Sequence, residues 1–294
     1  MTEQVVESYN RPPSALNFMS RALRRSSGLA KGDVVPPIAV QWAGLRIEPA
    51  QLEDFCRATG LRADAGVPVL FPQVVGFRLK MALLTHPAYP LPIWTALQVR
   101  NRLVRHRHVH PGEKLDLRTQ VGGQRAVEKG IEVDLVSRLM RGAVCCWESR
   151  TTFFYRGRFG DPAPAGPQAA APNLSEAPAV DRFRVPGSGG WTFGKLTGDY
   201  NGIHWWNWYA RRLGFPKAFP HPQRVAAMCQ SRLAGPDTEA QTLDLWIKGP
   251  VFYGADVGLN AVDGEEGLRF GVSLEGDARS ALLGHWRAGA QDVE

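Results

Sequence analysis

Apolar residues recur along the chain in two patterns, one with a helical period and one with the alternation typical of strands. The first half predicts a strand near Ile38–Trp42, a short helix at Pro49–Thr59 and a long apolar helix in FPQVVGFRLKMALLTH, residues 71–86. Four alternating segments follow and predict strands at 96–105, 114–123, 130–140 and 143–156. A long helix followed by a meander of long strands is an α+β pattern.

The second half repeats this order. A helix is predicted at 221–233, and strands are predicted at 241–253, 256–264, 267–276 and 281–289. The helix entries FPQVVGFRLKMAL and HPQRVAAMCQSRL start 150 residues apart, and Phe71 occupies the position of His221. This internal duplication predicts two antiparallel sheets joined edge to edge, each wrapped around its own central helix, with a groove between helices and sheet.

Residues 161–180, DPAPAGPQAAAPNLSEAPAV, consist largely of Pro, Ala and Gly and are typical of an extended linker. They divide the chain into predicted domains at 1–160 and 181–294. A composition of 44% apolar residues is enough for a sizeable core. No long uncharged apolar segment or signal peptide is found, so the sequence predicts a soluble, cytoplasmic protein that does not enter a membrane.

A net charge of +7 favours an anionic partner. No nucleic-acid-binding motif is present, so nucleic acid is not the expected partner. The basic run RNRLVRHRHVH, residues 100–110, has strand alternation and predicts charges on one exposed face, with phosphate contact as the alternative.

Neither metal binding nor a disulfide framework is expected. His106, His108 and His110 have no carboxylate or cysteine at ligand spacing along the sequence, so they predict no metal site. The four cysteines are too few and too irregularly spaced for a disulfide framework, and we interpret them as buried reduced thiols.

The segment LTGDYNGIHWWNWYARRLGFPKAFPHP, residues 196–222, combines an acid, an amide and an imidazole. Gly198 permits a tight bend, so Asp199 and His204 can share one cleft and act as acid and base on a water. Asn201 can orient its neighbours by donating and accepting hydrogen bonds. The alternative is purely structural: Asp199 caps a helix, Asn201 makes a turn and His204 packs among tryptophans.

This segment resembles the hydratase motif of the MaoC-like, (R)-specific enoyl thioester hydratases. The matching residues are Thr197-Gly198-Asp199, Asn201, Ile203-His204, Ala210, Gly214-Phe215 and His221. The resemblance implies a tandem, or double, hot-dog fold in which the first half lacks the motif and shapes an acyl tunnel. Gly202 stands where the family has proline, and Pro222 stands where the family has a glycine that is the expected oxyanion donor.

The resemblance also implies the chemistry. Asp199 and His204 would activate the water that adds to an enoyl thioester of coenzyme A or an acyl-carrier protein, as in fatty acid metabolism, without a cofactor. Backbone N–H groups at the start of the central helix would stabilise the thioester oxygen. Since proline has no N–H, Gln223 would replace Pro222 as the donor. His221 would have a positioning role by bonding backbone carbonyls.

Other interpretations stay open at the level of sequence. Trp205, Trp206, Trp208 and Tyr209 are expected to be mostly core residues, with one or two closing the pocket. Thioester hydrolysis on the same scaffold is a second possible activity. Pro222 and the first half, which lacks the motif, also permit an acyl-thioester-binding protein without catalysis. Monomer and homodimer are both compatible with a duplicated chain.

Overall fold

The computed structural model describes residues 4–164, 170–291 and 293. The strands are β1 (Val5–Tyr9), β2 (Ile38–Leu45), β3 (Leu97–Arg105), β4 (Leu115–Val127), β5 (Gly130–Arg141), β6 (Val144–Arg156), β7 (Ala179–Arg184), β8 (Gln241–Ile247), β9 (Asp256–Val262), β10 (Leu268–Leu274) and β11 (Ser280–Ala288). The helices are α1 (Ala15–Ala22), α2 (Pro49–Thr59), α3 (Phe71–Val75), α4 (Phe77–Leu84), α5 (Gly190–Thr197), α6 (Asn207–Arg212) and α7 (Pro222–Gln230). Short 3₁₀ turns occur at Ile93–Thr95 and Gly202–His204.

The strands form one 11-stranded sheet in the order β1-β2-β4-β5-β6-β3-β8-β11-β10-β9-β7. The first six in this order come from the N-terminal half and the last five from the C-terminal half. Paired strands are antiparallel except β1 and β2, which are parallel. The prediction of two sheets joined edge to edge in an α+β fold is therefore confirmed.

The two halves join where β3 pairs with β8. The pairing runs from Arg100 opposite Trp246 to Arg105 opposite Gln241. Arg102 crosses the junction to Asp244, with its Nε 2.7 Å from Oδ1 and its Nη2 3.1 Å from Oδ2. The predicted exposed charged face on this segment is wrong, because β3 is an interior strand and its arginines lie in ion pairs or against carbonyls. Strand alternation alone does not distinguish a free edge from an edge that a second sheet covers.

The helices pack on this sheet and on one another. The predicted helix at 71–86 is two helices with Gly76 between them, where an added Cβ would lie only 2.8 Å from the carbonyl oxygen of Pro72. Across the halves, α2 contacts both α5 and α7. The Phe55 ring lies 5.0 Å from Phe71 in its own half and 6.4 Å from Phe193 in the other half. Through the contact between Phe55 and Phe193, α2 packs against α5, the helix that leads into the motif.

The segment between the halves is partly described. Strand β7 begins at Ala179, inside the predicted linker, and residues 165–169 lie outside the described residues. The domain limits at 160 and 181 therefore stay predictions. The four cysteines are unpaired; Cys146 and Cys229 are buried, whereas the other two are partly exposed, so full burial was predicted correctly for only two. Within the described part of the chain, no helix has the length and apolar character needed to cross a bilayer.

Candidate active site

The loop after α5 fixes the position of Asp199. Helix α5 ends at Thr197, and Gly198 continues with φ of +73°, a left-handed conformation that favours glycine at a helix end. The Asp199 N–H donates to Thr197 Oγ1 at 3.0 Å, and Asp199 Oδ1 accepts the Asn201 N–H at 3.0 Å. The carboxylate is thus held through one oxygen by its own turn, which leaves Oδ2 for other partners.

The next turn places His204 beside this free oxygen. Asn201 Oδ1 accepts the Ile203 N–H at 3.2 Å and so caps the 3₁₀ turn that carries the histidine. His204 Nδ1 lies 2.8 Å from the carbonyl oxygen of Phe219. Because a carbonyl can only accept, Nδ1 carries the proton and Nε2 is the basic nitrogen of the neutral ring. This Nε2 lies 3.6 Å from Asp199 Oδ2.

The second histidine completes a compact triad. His221 Nε2 lies 3.4 Å from Asp199 Oδ2, and its ring stacks on His204 with centroids 3.7 Å apart. The expectation that His221 bonds backbone carbonyls is wrong: neither ring nitrogen has a hydrogen-bond partner among the described residues. His204 makes the carbonyl contact instead, because its turn presents Nδ1 to Phe219.

Burial and the mutual contacts of the triad set the charges of Asp199 and His221. Asp199, His204 and His221 are 8%, 7% and 2% exposed. Burial alone would raise the pKa of the Asp199 carboxyl, but the imidazoles of His204 and His221 outweigh it and hold that pKa well below its usual range. Burial, together with repulsion from His204, lowers the pKa of His221 to about 4. Near neutral pH the site therefore holds an ionised carboxylate beside a neutral His221.

Helix α7 begins at the triad. His221 is its N-cap residue and Pro222 its first residue, and no side chain caps its N-terminus. The Arg224 N–H donates to the His221 carbonyl, whereas the Gln223 N–H has no acceptor in the described parts of the chain. The Gln223 N–H at this positive helix end is thus available to donate, and Pro222 contributes a preset φ without an N–H. The oxyanion role of Gln223 stays a prediction.

The aromatic residues after His204 differ from expectation. Trp206 and Trp208 are 50% and 62% exposed, and Trp205 and Tyr209 are partly buried, so the prediction that most are core residues is wrong. A 3₁₀ turn followed by the one-and-a-half-turn α6 points these side chains outward. Gly202 is needed for packing, since an added Cβ would lie 2.9 Å from the Trp206 ring.

Among the residues that the structure describes, two groups of side chains have the donor atoms and spacing of a metal site. Ligand atoms of Asp199, His204 and His221 lie within 4.8 Å of one another, as do those of the group His106, Cys145 and Glu148. The fold therefore brings a carboxylate and a cysteine to His106 that sequence spacing did not reveal. Glu148 is already paired with Arg138 at 3.2 Å, which reduces its capacity to bind a cation.

Two surface pockets of about 670 and 540 Å³ lie on the C-terminal half, and none of the triad residues lines them. The acyl tunnel expected from the sequence stays a prediction. Sequence reasoning also missed Phe219, whose backbone carbonyl sets the tautomer of His204. No side-chain pattern marks such a contact, because any residue supplies a carbonyl.

Comparison with known proteins supports one family. No family model matches the chain. A curated relative, 3-hydroxyacyl-thioester dehydratase X of Mycobacterium tuberculosis, is 27% identical over 259 residues, which cover 87% of this chain and 91% of the relative. The crystal structure of HtdX from the same organism has a TM-score of 0.72 at 23% identity and covers 85% of this chain and 99% of its own. A MaoC-like dehydratase from Phytophthora capsici has a TM-score of 0.72 at 15% identity, over 87% of this chain and 97% of its own.

The continuous sheet, the two central helices and the motif in the second half define a double hot-dog protein. In sequence the chain is similar to a 3-hydroxyacyl-thioester dehydratase, and in fold it is similar to MaoC-like dehydratases. Its triad lies entirely in the C-terminal half, and Phe71 fills the position of His221 in the other half.

Proposed function

We propose that this protein is a lyase that interconverts a 3-hydroxyacyl thioester and the corresponding enoyl thioester by removing or adding water. The observation that carries the proposal is the geometry at Asp199. Its Oδ2 and the basic Nε2 of His204 lie 3.6 Å apart, too far for a direct hydrogen bond, and both are acceptors. One water molecule can donate its two protons to these two atoms. The name of the curated dehydratase relative supports the same reaction class.

In the hydration direction, Asp199 accepts one hydrogen bond from the water and His204 Nε2 takes its other proton as the oxygen attacks C3. The electron pair of the C2–C3 double bond moves towards the thioester, whose oxygen gains negative charge. The free Gln223 N–H donates to that oxygen. Transfer of the proton from His204 to C2 completes the addition, and dehydration follows the same steps in reverse.

The finer features belong to the same proposal. By resemblance to the hydratase motif, the hydroxy product has the (R) configuration, and the acyl carrier is coenzyme A or an acyl-carrier protein. The net charge of +7 fits the phosphate groups of either carrier. A cytoplasmic location and a function in fatty acid metabolism are consistent with such substrates and stay predictions.

An ultraviolet assay of enoyl-thioester conjugation tests the proposal. Wild-type protein should remove the conjugated absorbance of crotonyl thioesters, and Asp199→Asn should lower kcat by about 100-fold or more, the usual range for a lost acid–base group. Affinity for the unreactive butyryl thioester, measured by calorimetry, should persist. Asp256→Asn is the control, since this carboxylate lies on an exposed residue of β9 in the same half.

A second candidate is an acyl-thioester-binding protein without catalysis, which the missing N–H of Pro222 favours. It predicts binding of butyryl thioester with no change in the absorbance of any enoyl thioester. Free thiol release, measured in the same samples, would instead indicate a thioesterase. Either result would refute the lyase proposal.

A further inference from the structure

A chain of buried amides connects the two halves of the protein. Lys80 Nζ donates to Gln73 Oε1 at 2.9 Å, and Gln73 Nε2 donates to Asn101 Oδ1 at 2.9 Å. Gln98 Nε2 donates to the same Asn101 oxygen at 2.7 Å. Gln223 Nε2, in the C-terminal half, donates to Gln98 Oε1 at 2.8 Å. The chain therefore runs from the central helix of the N-terminal half to the first turn of α7.

The direction of every hydrogen bond in this chain follows from Lys80. Burial lowers the pKa of Lys80 to about 7, and Lys80 Nζ donates to Gln73 Oε1, so Gln73 directs its NH₂ group to Asn101. Asn101 then presents its oxygen to Gln98, which has only its own oxygen left for Gln223. Lys80, Gln73 and Asn101 are 0%, 0% and 3% exposed, and a reversed amide among them would place two donors or two acceptors face to face.

The far end of the chain meets the first turn of α7, where Arg224 also donates to the carbonyl oxygens of Ala58 and Ser188. No side chain caps α7, and its first residue, Pro222, has no N–H. The segment before it, 213–221, has neither helix nor strand. The Gln98–Gln223 hydrogen bond thus ties the first turn of α7 to β3 of the other half. Gln223 is also the residue whose backbone N–H is free.

We propose that Gln98 is a positioning residue that the N-terminal half contributes to the active site. By holding the Gln223 side chain, it fixes the place of the Gln223 N–H that receives the thioester oxygen. This inference rests on the proposed function, and it gives the half without the motif a direct part in the reaction. Gln98 does not touch the reacting atoms in this account and acts only through Gln223.

A double-mutant cycle with the enoyl-thioester assay tests the inference. Methionine keeps the length of glutamine but lacks the amide, so Gln98→Met should lower kcat about 10- to 100-fold, as expected for a slightly displaced donor, and change KM less than twofold. Gln223→Met and the double variant should lose the same amount, because the two residues act as one unit.

The matched control is Gln230→Met, a buried glutamine at the other end of α7 whose Oε1 has no partner among the described residues. It should keep the wild-type kcat. The inference would be overturned if the losses of kcat in Gln98→Met and Gln223→Met add up in the double variant, or if Gln98→Met keeps a normal kcat. The lyase proposal would stand in either case.

Hydrogen–deuterium exchange separates the two proposals without any activity. If Gln98 anchors α7, exchange of the peptide that spans residues 219–225 should accelerate in Gln98→Met and stay unchanged in the Gln230→Met control. Unchanged exchange in Gln98→Met would overturn the inference even for an inactive protein. A wild-type protein with no turnover but accelerated exchange in the variant would refute only the lyase proposal.

Discussion

The clearest physical consequence of the triad is a loss of stability in mild acid. His221 is buried, and its pKa of about 4 in the folded protein compares with 6.5 for an unperturbed histidine. Between these values the unfolded chain binds a proton that the folded protein does not bind, so the free energy of unfolding falls as the pH drops. At about 1.4 kcal/mol per pH unit the full loss is about 3 kcal/mol. The lowered pKa of Asp199 changes the free energy of unfolding only below pH 4, outside the range in which His221 has its effect.

His221→Phe removes this titration and copies the other half, where Phe71 occupies the same position. Urea unfolding at pH 7.0 and 4.5 gives the decrease in the free energy of unfolding for each protein, and this decrease should be about 2 kcal/mol smaller in the variant than in wild type. His221→Gln should give the same difference if phenylalanine packs poorly. His110→Gln, which changes an exposed ring, should lose as much as wild type. If the free energy of unfolding falls by the same amount in wild type and in His221→Phe between pH 7.0 and 4.5, the assignment of a buried neutral imidazole is refuted.

Three other variants probe how the site is built. Gly198→Ala should cost about 1–2 kcal/mol, because φ is +73° and the new Cβ would lie 2.7 Å from Arg78 Cγ; wild-type stability in thermal melts would contradict this. Thr197→Val removes the acceptor of the Asp199 N–H and should cost about 1–2 kcal/mol in urea unfolding, an effect that Thr197→Ser should largely reverse. Asp244→Ala removes the buried carboxylate that pairs with both Arg102 and Arg287 near the junction of the halves and should cost about 3–5 kcal/mol, so a smaller loss than in the exposed Asp256→Ala control would sink this estimate.

Periodicity predicted most of the fold because the central strands alternate over long stretches. Strand β9 and the first half of β4 have the alternating burial that the sequence pattern anticipates, and the repeated helix entries identified the duplication. The elements that it missed are β1, β7, α1, α5 and α6. They are short, and β1 and β7 lie at the two ends of the sheet, where one side has no neighbouring strand and the apolar pattern is weak.

The residue types of the site could be predicted, but its distances could not. The spacing of Asp199 and His204 indicated a shared cleft, since a turn joins them. The ring stacking of His221 on His204 depends on where α7 begins relative to the 3₁₀ turn, and 17 residues separate the two histidines. The amide chain through Gln98 depends on the pairing of the halves, which no local pattern encodes.

Aromatic rings of both halves pack in series behind the triad. Phe71 contacts Phe55, Phe55 contacts Phe193, and Phe193 lies 5.3 Å from the His221 ring. Each such aromatic pair contributes about 0.5–1.5 kcal/mol beyond the burial of its area. This series of rings excludes water from one side of His221, and burial is the largest cause of the low pKa of that histidine. Phe71 therefore acts on the triad through packing, although it occupies the position where a second histidine would stand.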